Sequence, residues 1–178
     1  MKKGTDFLYL FVHVNKCGGG TFVHHLEQNF PRAKLLKVHC PYLISLSVHS
    51  PAYAACKARI RDHLAGLEPS VRESIACIYG HDVDPTLPFF FRKPARKIIL
   101  LRNPADRLVS HYNYDRYAFE SGRRDSATLG AFFARDGEAF PSFEEYCDIV
   151  PRNYMLRLVM ERYLGEAIGA RGVDEPHL

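Results

Sequence analysis

The chain has 178 residues, 47% hydrophobic and 25% charged, a balance that excludes a disordered or fibrous protein and suits a globular domain with a core of its own. Its formal charge of +4 inclines it toward anionic ligands but is too small to argue for nucleic acid. Five cysteines (Cys17, Cys40, Cys56, Cys77, Cys147) include no C-x-x-C pair, which argues against a zinc framework or a full disulfide set and for a reducing, cytoplasmic setting.

In chain order, residues 7–14 form an apolar run that the spacing reads as a buried strand. Lys2 and Lys3 precede it as in a signal peptide, but His13 interrupts the run and no small-residue cleavage site follows. No segment approaches the roughly 20 apolar residues that span a bilayer. A helix is expected over 21–29 and a short strand over 34–38. Residues 41–51 read as irregular, and Pro51 suits the first turn of a helix reaching about residue 67. A strand is expected over 74–79, ending at Gly80, and a proline-rich loop over 82–94 that wraps apolar surface. The run KIILL, residues 97–101, reads as the next strand. Pro104 then opens a helix to about residue 117, because proline cannot extend a central strand but fits a helix start. A charged loop over 122–126, a helix over 128–135, a capping box of Ser142 with Glu145 and a helix over 151–164 complete the pattern. Strands alternating with helices give an α/β layered fold with a mostly parallel sheet.

The stretch 8–22, LYLFVHVNKCGGGTF, carries the most chemistry. A strand, a glycine-rich turn and a helix in that order present backbone N–H groups and a positive helix end to an anion. Lys16 precedes the glycines, whereas the nucleotide-triphosphatase loop G-x-x-x-x-G-K-[ST] places its lysine after them. Contiguous Gly18, Gly19 and Gly20 also fail the dinucleotide pattern G-x-G-x-x-G. The plain alternative is a tight turn with a solvated lysine. The second constellation runs from Arg102 to Tyr112. Arg107 and Ser110 share a helical face there, as phosphate donors or as part of a solvated face with Arg107 paired to Asp106 or Asp115. Ligands of open α/β sheets bind beyond the carboxyl ends of the strands. Residues 15–21, 80–82 and 102–104 all fall at such ends.

The segments VHVNKCGGGTF and KIILLRNPADRLVSHYNY together resemble the donor-binding motifs of the sulfotransferases related to heparan sulfate 2-O-sulfotransferase. Those have the forms H-x-P-K-[TC]-G-G-T-[ST] and R-[DN]-P-x-x-R-x-x-S-x-[YF]. SFEEYCDIVPRNYMLR is similar to a later family segment. Asn15 stands where the family has proline and Gly20 where it has threonine. The resemblance implies one P-loop-like three-layer domain over 1–178, with a central mostly parallel sheet flanked by helices, and C-terminally short beside its relatives. It implies 3′-phosphoadenosine-5′-phosphosulfate (PAPS) as donor, no metal, no nucleic acid, and a hydroxyl-bearing acceptor, a glycan first among them. Lys16, Cys17, Gly18, Gly19, Gly20 and Thr21 would hold the 5′ phosphosulfate, and Arg102 and Ser110 the 3′ phosphate. Lys16 would meet charge growing on the bridging oxygen. His81, in IYGHDVDP, matches the family's G-H segment and would take the acceptor's proton, unless it is a capping or surface histidine. A lapsed nucleotide-binding remnant and an ATP-dependent phosphotransferase are the alternatives. His13 reads as a satisfied core or rim residue, and oligomeric state is left open.

Overall fold

The computed structural model describes residues 7–39, 51–83, 86–123 and 139–150. The chain divides into two compact units, Met1–Leu101 and Arg102–Leu178. The first is an α/β unit built on a four-stranded, all-parallel sheet of order β2-β3-β1-β4. Its strands are β1 (Leu8–Val12), β2 (Leu35–Lys37), β3 (Cys77–Gly80) and β4 (Ala95–Ile99). β1 and β3 are central and buried on both faces, the state of parallel strands that read as continuous apolar runs. β4 is an edge strand whose Ala95, Arg96 and Lys97 are exposed, and charge there discourages pairing with another chain.

Alternation divides the strands between two faces. On one face Phe11, Cys77 and Tyr79 meet Phe22, Val23 and Leu26 of helix α1 (Gly19–Asn29). The Phe11 and Phe22 ring centroids lie 4.4 Å apart, and the Tyr79 hydroxyl donates to Glu27 Oε1 over 2.8 Å. On the other face Leu8, Leu10, Val12 and Ile78 are almost fully buried. The outgoing connections of neighbouring β1 and β3 run opposite ways, one to β2 and the other across to β4. Such a reversal is where open α/β sheets form ligand crevices at the strand carboxyl ends.

Several boundaries differ from expectation for local reasons. Helix α1 begins at Gly19, not residue 21, because Gly18 at φ 81° breaks the chain into the helix. Helix α2 (Pro51–Gly66) follows the proline signal. The short helix α3 (Pro69–Ser74) was not expected; it ends on Ser74, where the strand was expected to begin, and β3 starts at Cys77. β4 lies two residues earlier than expected because it pairs with β1 from Leu8↔Ala95 to Val12↔Ile99. The loop that wraps apolar surface holds a 3-10 turn, Leu87–Phe90, which buries Leu87 and leaves Phe89 86% exposed. The helices expected over 128–135 and 151–164, and residues 41–50, fall outside the described residues.

In the second unit helix α4 (Pro104–Glu120) starts on Asn103, whose side chain accepts from the amides of Ala105 and Asp106. Helix α5 (Phe143–Ile149) opens on the Ser142–Glu145 capping box that the sequence spells out. Tyr112 of α4 packs its ring against Phe140, Phe143 and Tyr146 at centroid distances of 5.3, 5.2 and 5.2 Å.

Candidate functional site

The glycine turn grows directly out of β1. The Cys17 amide donates to the Val14 carbonyl over 3.3 Å, closing a four-residue turn with Lys16 third. That position of a type II turn needs positive φ and normally takes glycine. Lys16 adopts φ 64°, the one non-glycine residue with positive φ among those described. Left-handed backbone costs an L-residue about 1–2 kcal/mol, so a lysine held there points to a role its side chain fills. Cys17 turns inward and is buried. Gly18 at φ 81° precedes α1 without a side-chain cap, so the first amides of the helix, at Gly19, Gly20 and Thr21, have no intrahelical acceptor and remain for an anion. Gly20 and Thr21 are exposed, and a Cβ at Gly18 or Gly20 would meet open space.

Gly19 is different. A Cβ there would lie 2.0 Å from Cδ2 of His13 and 2.3 Å from its Nε2. The imidazole of His13 therefore rests on the first turn of α1. Register explains its place: Val12 pairs with Gly80, and the His13 amide donates to the Gly80 carbonyl over 2.9 Å. His13 and His81 thus leave neighbouring strands side by side. Their rings stack at 4.2 Å between centroids and 25° between planes. His81 Nδ1 lies 2.6 Å from the His13 carbonyl oxygen. A carbonyl can only accept, so Nδ1 carries the hydrogen and Nε2 is the basic nitrogen of the neutral ring.

Two further groups border the pair. The His39 ring meets that of His81 edge-on at 5.9 Å, and His39 Nδ1 lies 3.8 Å from Oδ2 of the buried Asp82. His13 is pushed down to about 4, first by burial and then by the neighbouring His81 and Lys37 charges, so it is neutral at physiological pH. Among the described residues no group of three or more His, Cys, Asp or Glu is placed to hold a metal ion. An apolar hollow of about 310 Å³, lined by Tyr9, Phe22, Leu26, Phe30, Cys77 and Ile98, sits by the C-terminal end of α1, away from the glycine turn.

The first unit therefore brings together Lys16, the amides through Thr21, and His81. Arg102 and Ser110 belong to the second unit: Arg102 is exposed ahead of the Asn103 cap, and Ser110 is half-buried on α4. Arg107 is not on a solvated face. It is 5% exposed and shares a stripe of α4 with His111 and Asp115. Asp115 accepts from the Tyr146 hydroxyl over 2.6 Å and faces His111 Nε2 at 3.6 Å. Burial, then the Asp115 contact, drives the Tyr146 hydroxyl far above its ordinary value, while the Arg107 charge opposes this. This network braces α4 against α5. Cys56 is disulfide-bonded, while Cys17, Cys77 and Cys147 stand as thiols. No helix among the described residues is long and apolar enough to cross a membrane.

His13 reads as core or rim from its place in the strand, although it stands at the histidine of the H-x-P-K motif. The signal lay in register: a histidine one residue beyond β1 faces whatever follows the glycine ending β3. Compared with protein-family models, with curated proteins and with solved structures, the chain matches none.

Proposed function

We propose that this protein is a sulfotransferase related to the heparan sulfate 2-O-sulfotransferase group, moving a sulfuryl group from PAPS to a hydroxyl, in particular that of a carbohydrate. One observation carries the reading: a lysine in left-handed backbone at an amide-rich helix start stands one strand away from a histidine whose basic nitrogen is Nε2. The cradle fits an anion, since its amides lack helical partners and its outer glycines leave room for close approach. When bound, the donor supplies an activated sulfuryl group. Lys16 then holds the oxygen bridging phosphorus and sulfur, where negative charge grows as the S–O bond breaks. His81 Nε2 takes the acceptor hydroxyl's proton as the new S–O bond forms. The motif alone assigns Arg102 and Ser110 to the 3′ phosphate.

Cytoplasm was the expected location, but a disulfide at Cys56 argues for an oxidising compartment. The deciding experiment measures binding of 3′-phosphoadenosine-5′-phosphate and ATP by calorimetry, then radiolabelled sulfate transfer to a glycan panel. Tight, selective binding of the former with transfer abolished in Lys16→Ala supports the proposal. Equal affinities would remove it in favour of ATP chemistry, and selective binding without transfer would mark a lapsed nucleotide-binding fold.

A further inference from the structure

We infer that His13 is a positioning residue, the spacer that holds the base His81 at a fixed distance and orientation from the glycine turn. The inference rests on His81 being the base. Three contacts converge on it. The edge of its ring occupies the space that a Cβ at Gly19 would need, with Cδ2 only 2.0 Å from that point. The face of the ring stacks on His81 at 4.2 Å. Its carbonyl takes the Nδ1 hydrogen of His81 over 2.6 Å. The carbonyl thus selects the tautomer of the base, and the ring orients it and sets its spacing from the helix turn.

The ring is itself part of a chain of aromatic contacts, since Phe11 stacks on it at 6.0 Å and meets Phe22 of α1 at a tilt of 50° and 4.4 Å. A shift of the turn must therefore move His13, and His13 must move His81. A planar ring is what this work requires. The imidazole nitrogens of His13 are not called on, in keeping with a ring that is neutral down to about pH 4. The charged and titratable groups facing the pair are Lys37, His39 and Asp82.

The test compares His13→Ala with His13→Phe, which keeps a planar ring and, like any substitution, the backbone carbonyl. Misplacing a reacting group by about 1 Å can cost on the order of 10²-fold in rate. Expected is a kcat loss of that order in His13→Ala, with donor affinity changed by less than about threefold, an amount worth under 1 kcal/mol. His13→Phe should recover most of kcat and keep the acid limb of the pH profile. A second readout needs no turnover: because the backbone carbonyl persists in every variant, histidine ¹⁵N spectra should show His81 protonated at Nδ1 throughout, while relaxation of its ring signals should show the ring fixed in the wild type and in His13→Phe and mobile in His13→Ala. An inactive wild type with this spectral pattern would sink the sulfotransferase proposal while leaving the positioning role standing. Equal loss in both variants, no loss in His13→Ala, or a His81 ring as fixed in His13→Ala as in the wild type would overturn the inference.

Discussion

Gly80 and Val38 approach so closely that a Cβ at position 80 would stand 1.9 Å from the Val38 carbonyl oxygen. The glycine also sits at φ 145°, a conformation L-residues rarely adopt. It is the last residue of β3, its carbonyl accepts from His13, and it immediately precedes His81. The glycine of the G-H segment is thus demanded by backbone contact on one side and delivers the histidine on the other. Gly80→Ala is expected to lose about 1–3 kcal/mol through backbone strain alone, with the collision at Val38 adding to it. Urea unfolding checks this; a variant as stable as the parent would refute the close approach.

Lys16 separates stability from function. Its φ of 64° is costly for lysine and easier for asparagine, which visits the left-handed region more readily. Lys16→Asn should therefore unfold at an equal or higher midpoint. Sulfate transfer should nevertheless fall on the order of 10²–10³-fold, as when a transition-state donor is lost. Paired melting and rate measurements decide it, and a midpoint that falls along with the rate would make Lys16 a structural residue.

Much of this was readable because it is local. Strand, glycine turn and helix follow one another within 8–22, and the Ser142–Glu145 box and the Asn103-Pro104 start are encoded within a few residues of the helices they open. What escaped depends on partners distant in sequence. His13 acquires its meaning from pairing with a strand 68 residues on. Arg107 and Asp115 are buried by a helix whose Tyr146 lies 31 residues beyond Asp115. The bond at Cys56 follows no spacing rule. Helix α3 was missed because six residues carry too little periodicity to outweigh the apolar run that follows.

Tyr146 supplies the hydroxyl bonded to Oδ2 of Asp115, a residue only 1% exposed. Tyr146→Phe preserves the ring packing and removes only that donor. A buried acceptor left without its partner costs about 1–3 kcal/mol. Tyr112→Phe, which loses a bond to the Pro141 carbonyl from a half-buried ring, is the milder comparison. Chemical denaturation of the two variants should rank them in that order; the reverse order would show that Asp115 finds its stabilisation elsewhere.

The thiol inventory bears on compartment. Alkylation of the denatured protein without reductant should label Cys17, Cys77 and Cys147 and spare Cys56 until reductant is added. Peptide mapping reads the sites directly. Labelling of Cys56 before reduction, in protein secreted through an oxidising pathway, would return the chain to the reducing setting its composition suggested.

His13 also makes stability depend on pH with a definite sign. Its value is lowered from 6.5 to about 4, chiefly by burial and then by the His81 and Lys37 charges. Between those limits the unfolded chain binds a proton at this position and the folded chain does not. Stability from this group must then fall as pH drops from 6.5 toward 4, and level off below that. His81, His39, Lys37 and Asp82 remain in His13→Phe, so a difference between the two pH curves belongs to position 13. Urea midpoints taken across this window should fall less steeply in His13→Phe than in the parent. Parallel curves would mean that the imidazole takes up its proton as readily in the folded protein as in the unfolded chain, and that its ring is not enclosed between Gly19 and His81.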